Sequence, residues 1–177
     1  MGARIMRPAL VPAFLIGCCL SATPPPKTHV QGRQLMVTAS ATQGDAGPMQ
    51  RVALTLEIDL QPNMHVYAPG VEGYIPIEWQ IAASALVTPH QVNMPKPEVL
   101  YLKAIDEKVP VFKDHLQLTR EITFGSEDVI KKALDASGNF TIPGTLKYQA
   151  CDDRLCYIPQ TLQLKWTFHY EAAGRQK

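Results

Sequence analysis

Apolar residues recur at every second position in several stretches of this chain. From Val52 to Leu60 one face reads Val52, Leu54, Leu56, Ile58 and Leu60, while Thr55, Glu57 and Asp59 occupy the other. Alternation of this kind marks a strand with one buried face. Leu35, Val37 and Ala39 repeat it against Met36, Thr38 and Ser40, and Leu162, Leu164, Trp166 and Phe168 repeat it between Gln160 and Tyr170. Ile75 to Ala82, Val99 to Ala104, Leu116 to Phe124 and Phe140 to Gln149 are the other candidates, which makes about seven strands. Ten prolines from Pro48 to Pro159 break up any long helix. The interval between Pro110 and Pro143 leaves room for one short helix, capped by Ser126, carrying Val129, Ile130, Ala133 and Leu134, and ending at Gly138. The pattern predicts an all-β fold, an immunoglobulin-like antiparallel β-sandwich with one short helix.

The first residues follow a different rule. Arg4 and Arg7 precede an apolar stretch from Ala9 to Ile16, the order of an export signal. That stretch is well short of the roughly 20 residues that cross a bilayer as a helix, and no later run approaches that length. Leu15-Ile16-Gly17-Cys18 then resembles the processing box of bacterial lipoproteins, in which a small residue precedes the cysteine that is lipidated. Residues 1–17 are therefore expected to be a lipoprotein signal peptide, with Cys18 the lipidation site and the chain anchored to a membrane surface. The alternative is a soluble secreted protein cut near Ala22, where Leu20 is too large for the usual cleavage pattern. Residues 18–33 include Pro24, Pro25 and Pro26 and read as an extended tether. Residues 34–170 read as the folded domain and 171–177 as a tail.

Charge narrows the functional classes. Lysine and arginine number 17 and aspartate and glutamate 16, a net charge of +1, and without residues 1–17 the balance is −1. Such a chain has no basic surface on which nucleic acid could release counterions, so no nucleic-acid partner is expected. At 46% hydrophobic residues the composition suits one globular domain, and its length supports a core that does not depend on disulfides.

Candidate chemistry lies in the segment Cys151-Asp-Asp-Arg-Leu-Cys156, between two strand candidates. Five residue steps would span about 17 Å if extended, whereas a disulfide needs Cα atoms roughly 4.4–6.8 Å apart, so the chain must turn back. Directly opposed residues of an antiparallel pair lie about 4.5–5.5 Å apart, which would bring the two sulfurs into bonding reach at a hairpin tip. A six-residue loop stabilises by roughly 2 kcal/mol in the chain-entropy account, less than a long loop would. A bridge at an exposed tip is also open to attack by another thiolate. These residues alone leave a structural staple and a redox pair both open.

Tyr148-Gln149-Ala150-Cys151-Asp152-Asp153, followed by Cys156-Tyr157 and Pro159, resembles the active-site segment of the N-terminal domain of the thiol:disulfide interchange protein DsbD and of its stand-alone relatives. Asn63-Met64-His65-Val66-Tyr67-Ala68-Pro69 resembles the "WH-aliphatic-Y" strand of those relatives, with Met64 in place of tryptophan. Asp106-Glu107 and Val111 to Leu116 resemble the cap-loop region, although Lys108 and Val109 stand where DsbD has an aromatic pair, and DsbD has one more residue between its cysteines. The resemblance implies an immunoglobulin-like periplasmic domain that passes electrons between thioredoxin-fold proteins by disulfide exchange. It implies that Cys156 forms the mixed disulfide and Cys151 resolves it, with Asp106 and Glu107 as cap or proton-transfer residues and no cofactor. Asp152 and Asp153, partly offset by Arg154, predict a reluctant thiolate and a reducing couple.

Two other functional classes fit less of the chain. Cys151, Cys156, Met64, His65, His90 and Met94 are soft or borderline ligands that could hold Cu(I) if the fold gathered them, but their spacing does not require a metal site. An immunoglobulin-like interaction module with an inert disulfide is the third reading.

Overall fold

The computed structural model describes residues 23–103 and 106–172. Among these the elements run β1 (Lys27–Gln31), β2 (Leu35–Ala41), β3 (Asp45–Ala46), β4 (Arg51–Leu60), β5 (His65–Tyr67), β6 (Glu78–Gln80), β7 (Val87–Asn93), β8 (Glu98–Leu102), β9 (Glu107–Lys113) and β10 (His115–Phe124). Helix α1 (Glu127–Ala133), β11 (Asn139–Tyr148), β12 (Ala150–Cys151) and β13 (Gln160–Tyr170) follow. The protein is mostly β, with several antiparallel sheets in an immunoglobulin-like sandwich arrangement.

One sheet runs β1-β2-β4-β10-β7 and a second β3-β13-β11-β6. Register places Leu118 opposite Leu56 and Leu116 opposite Ile58 in the first, and Ile142 opposite Trp166 and Phe140 opposite Phe168 in the second. The apolar alternation of each strand thus falls on one face, and the two faces share a single buried core. Phe124, Phe140 and Phe168 meet there with ring centroids 5.0–5.8 Å apart. The Trp166 indole N–H donates to the Ser40 carbonyl at 3.0 Å, tying the second sheet to the first.

A third sheet, β12-β5-β9-β8, positions the cysteines. Because side chains alternate across a strand, Val66, Phe112 and Ala150 join the main core. Tyr67, Val109, Val111 and Cys151 form a second, small buried cluster on the other face.

Three expectations need correction. Residues 27–31 are not tether: they form β1, paired residue by residue with β2 from Lys27↔Ser40 to Gln31↔Met36, and Val30 packs on the core. The helix begins at Glu127 as Ser126 predicts, but the Ser126 hydroxyl makes no capping bond. Its carbonyl accepts from the Val129 and Ile130 amides instead, and the helix stops at Ala133, well before Gly138. The seven expected strands are thirteen among the described residues; β7 and β9 escaped because Pro89 and Pro110 interrupt their alternation. Residues 1–22, with the signal peptide and Cys18, and residues 173–177 of the tail lie outside the described residues.

Candidate functional site

The segment after β11 leaves its sheet. Tyr148 is still paired with Gln160 of β13, but Ala150 and Cys151 pair with Val66 and His65 of β5, so the cysteine loop belongs to the third sheet. The chain then folds back: the Asp152 amide donates to the Leu155 carbonyl at 3.0 Å, and the Tyr157 amide to the Ala150 carbonyl at 2.9 Å. Cys151 and Cys156 form an antiparallel bridge and a disulfide, with Cα atoms 4.0 Å apart, closer than the opposed-strand distance expected.

Asp152 builds this turn. Its carboxylate accepts the amides of Arg154 at 2.7 Å and Leu155 at 2.9 Å and the Tyr157 hydroxyl at 3.0 Å. These donors, the Leu155 amide foremost, hold its carboxyl below the usual carboxylate range. The negative charge anticipated beside Cys151 is therefore fixed by turn geometry.

The two cysteines differ in access. Cys151 is 1% exposed, within the small cluster, whereas Cys156 is exposed. Leu155 and Ile158, beside Cys156 in sequence, are exposed apolar side chains at 52% and 76%. An incoming thiolate needs an open line to one sulfur only, and this arrangement offers the second.

Tyr67 links the disulfide to the rest of the site. Its hydroxyl lies 3.8 Å from Cys156 Sγ, and burial followed by the nearby Glu107 raises its pKa. Tyr74 lies against it with ring centroids 4.2 Å apart and donates its hydroxyl to Glu107 Oε2 at 2.8 Å, which pushes the Tyr74 pKa up to about 12. Tyr74 was not singled out from sequence. It sits in an irregular loop between β5 and β6, where Gly70 and Gly73 take positive φ, and such a loop carries no periodic signal.

Of the two expected cap residues, Glu107 reaches this network and Asp106 does not. Glu107 opens β9 and accepts from Tyr74; Asp106, at φ 52°, accepts the Tyr101 hydroxyl at 2.7 Å on an exposed corner. The soft-ligand set is not gathered either. His65 stands opposite Cys151, but His90 on β7 bonds the Thr123 hydroxyl at 2.8 Å. Met94 lines a cavity of about 670 Å³ whose walls include Trp79 and Arg120 and neither cysteine.

His65 is 3% exposed, and its Nε2 is buried with no hydrogen-bond partner. Burial first, and then the charge of Lys113, lowers its pKa, while Asp153 and Asp152 act in the opposite sense. The imidazole is thereby biased toward its neutral form.

The family described as "Thiol:disulfide interchange protein DsbD, N-terminal" matches residues 32–167. Two solved structures are similar in part. The N-terminal periplasmic domain of ScsB from Proteus mirabilis is 19% identical, with 78% of this chain and 49% of that chain covered and a TM-score of 0.49. The DsbD N-terminal domain of Neisseria meningitidis in the reduced form is 17% identical, with 75% and 88% covered and a TM-score of 0.43. This chain thus spans about half the length of the ScsB chain. No curated protein matches significantly.

Proposed function

We propose, from the premise that this chain belongs to the family of DsbD N-terminal domains, that it passes electrons between thioredoxin-fold proteins through the Cys151–Cys156 pair. The observation that carries the reading is the unequal access to the two sulfurs: one cysteine is sealed in a cluster of its own and the other is exposed on a tight turn. A staple has no need of that asymmetry, and a six-residue loop contributes only about 2 kcal/mol.

In the reductive direction a partner thiolate attacks Cys156 Sγ and the intramolecular S–S bond breaks. Cys151 leaves with the electron pair and takes up a proton. The partner's second thiolate then attacks the partner sulfur of the mixed disulfide, and Cys156 leaves as a thiolate. The partner emerges as a disulfide and the domain as a dithiol, a two-electron transfer with no cofactor. Reversal of the same steps hands the electrons to an oxidised partner. Asp152 and Asp153 beside the pair disfavour thiolate, which makes the couple reducing, with a potential well below the roughly −120 mV of a strong oxidase. Glu107 acts through Tyr74 and Tyr67, as a support for the aromatic cover rather than as a direct proton donor to sulfur.

The reading includes export to the periplasm and attachment to a membrane through acylated Cys18, which incorporation of labelled palmitate, lost in Cys18→Ser, would test. The exchange itself is tested by expressing Cys151→Ser in the periplasm, so that Cys156 keeps any mixed disulfide, and resolving adducts on non-reducing gels. A trapped thioredoxin-fold protein, released by reductant and missing from Cys156→Ser, is expected. Repeated absence of any adduct in both variants would leave an inert module.

A further inference from the structure

We infer that His65 is the proton acceptor for the Cys151 thiol, the group that readies the buried cysteine to close the disulfide. The inference rests on the exchange reading above and adds a residue to it.

Register brings the two residues together. His65 is the direct antiparallel partner of Cys151, so both side chains project from the same face of the third sheet. Tyr67 shares that face, with its ring edge-on to the imidazole and centroids 5.5 Å apart, and its hydroxyl reaches Cys156. The second observation is the buried Nε2 of His65, which has no partner while the disulfide is intact. A shielded polar atom left unpaired costs free energy and calls for an explanation, and a redox or catalytic role is one that the neighbouring disulfide offers here. Reduction supplies a partner: splitting the S–S bond puts a thiol proton on the neighbouring strand, and a neutral imidazole nitrogen can accept it.

The charged and titratable groups around the ring favour this role. Lys113 of β9 stands opposite His65 on its other side, Asp152 and Asp153 of the cysteine loop act on it from the β12 side, and Tyr67 lies on its own strand. Burial first, and then Lys113, keep the resting ring neutral and able to accept. The two carboxylates stabilise the imidazolium once it forms, so the transfer is reversible.

During oxidation of the domain, the Cys156 thiolate attacks a partner disulfide, and one partner sulfur leaves as thiolate. Cys151 gives its proton to His65 Nε2, and the resulting thiolate attacks Cys156 Sγ. The mixed disulfide breaks and the second partner sulfur leaves with the electron pair. The imidazolium returns the proton to that thiolate or to water. The domain loses two electrons and the partner gains them.

Oxidised glutathione is a suitable probe. The reduced protein is mixed with it, quenched in acid at intervals, and the conversion of the Cys156 glutathione adduct to the internal disulfide is followed from pH 5 to 9. In His65→Gln, which retains bulk and hydrogen bonding but no base, closure should slow roughly a hundredfold at pH 7. Its rate should climb steadily with pH where the wild type has levelled off. Equal rates and superimposable pH profiles would overturn the inference while leaving the exchange reading intact. Failure of the wild-type protein to form or close the adduct would overturn both. A second measurement needs no variant: the imidazole titration of His65, followed by NMR, should move between the oxidised and reduced wild-type protein. A His65 titration that ignores the redox state would also sink the assignment.

Discussion

Strand β5 separates two buried regions of different character. Val66 points into the main core, whereas its neighbours His65 and Tyr67 point into the small cluster around Cys151. Burial is nearly complete on both sides, at 0% exposure for Val66 and 2–3% for Tyr67 and His65. The contents differ. The main core is aliphatic and aromatic side chains from both sheets packed by contact. Trp166 and Tyr148 pass their polar ends to the Ser40 carbonyl and the Gln160 side chain, Trp79 leaves its indole N–H unpartnered, and no group among them titrates near neutral pH. In the small cluster, Tyr67 and Cys151 carry a hydroxyl and a sulfur, and the adjacent His65 adds an unpartnered ring nitrogen. One region joins the two large sheets, and the other sets titratable groups beside a disulfide.

The sharpest test of that division is to damage each side. Phe168→Ala removes a fully buried ring that packs on Phe124 and Phe140, and urea unfolding should show a loss of about 3–5 kcal/mol. Replacing both cysteines by alanine should cost about 2 kcal/mol, because the closed loop is short. A double cysteine variant destabilised as much as Phe168→Ala would mean that the disulfide is structural after all, and the two regions would no longer be distinct in kind.

The main core was legible in the sequence because period-two alternation in β2, β4, β10, β11 and β13 reports directly which face is buried. The cysteine turn was legible from chain geometry and from its likeness to the DsbD family. The surroundings of the turn were not. β5 is three residues long, too short to display a period, and β12 is two. That these fragments meet, placing His65 beside Cys151, depends on a long-range register that no local pattern encodes. Tyr74 was hidden for a related reason: its value to the site comes from a tertiary stack on Tyr67 and from a carboxylate 33 positions away. The adjacent acids Asp106 and Glu107 looked equivalent in sequence, yet the backbone turns Glu107 toward Tyr74 and the disulfide side, and Asp106 toward the exposed Tyr101.

That last distinction predicts smaller effects. Tyr74→Phe keeps the ring stack on Tyr67 and deletes the hydrogen bond to Glu107. Urea unfolding should show a loss smaller than that of the double cysteine variant, because water can partly replace this one hydrogen bond. Asp106→Asn, on its exposed corner, should leave the rate of disulfide exchange unchanged. An exchange rate that fell with Asp106→Asn but not with Glu107→Gln would reverse the assignment of the two residues.

The finest test is the dependence of stability on pH in the oxidised protein, where Cys151 and Cys156 do not titrate. His65 has a folded pKa below its ordinary 6.5, with burial as the main cause. Between that lowered value and 6.5 the unfolded chain binds a proton that the folded chain refuses, so stability falls as the solution is acidified through this window. Above 6.5 both states are neutral at this site and the contribution is complete. Asp152 follows the same sign at lower pH: its folded pKa lies below 3.8, so its contribution is present above that value and drains away as pH drops toward the folded pKa. Thermal unfolding should therefore show two separate declines, one beginning near pH 6.5 and one below about pH 4. His65→Gln should flatten the first and leave the second, whereas Asp152→Asn should leave the first and only lessen the second, to which Asp135 and Glu127, both held below their ordinary values by hydrogen bonds, also contribute. If His65→Gln left the upper decline unchanged, the imidazole would not be held neutral by its surroundings, and the small cluster would lose the feature that most separates it from the core across the same strand.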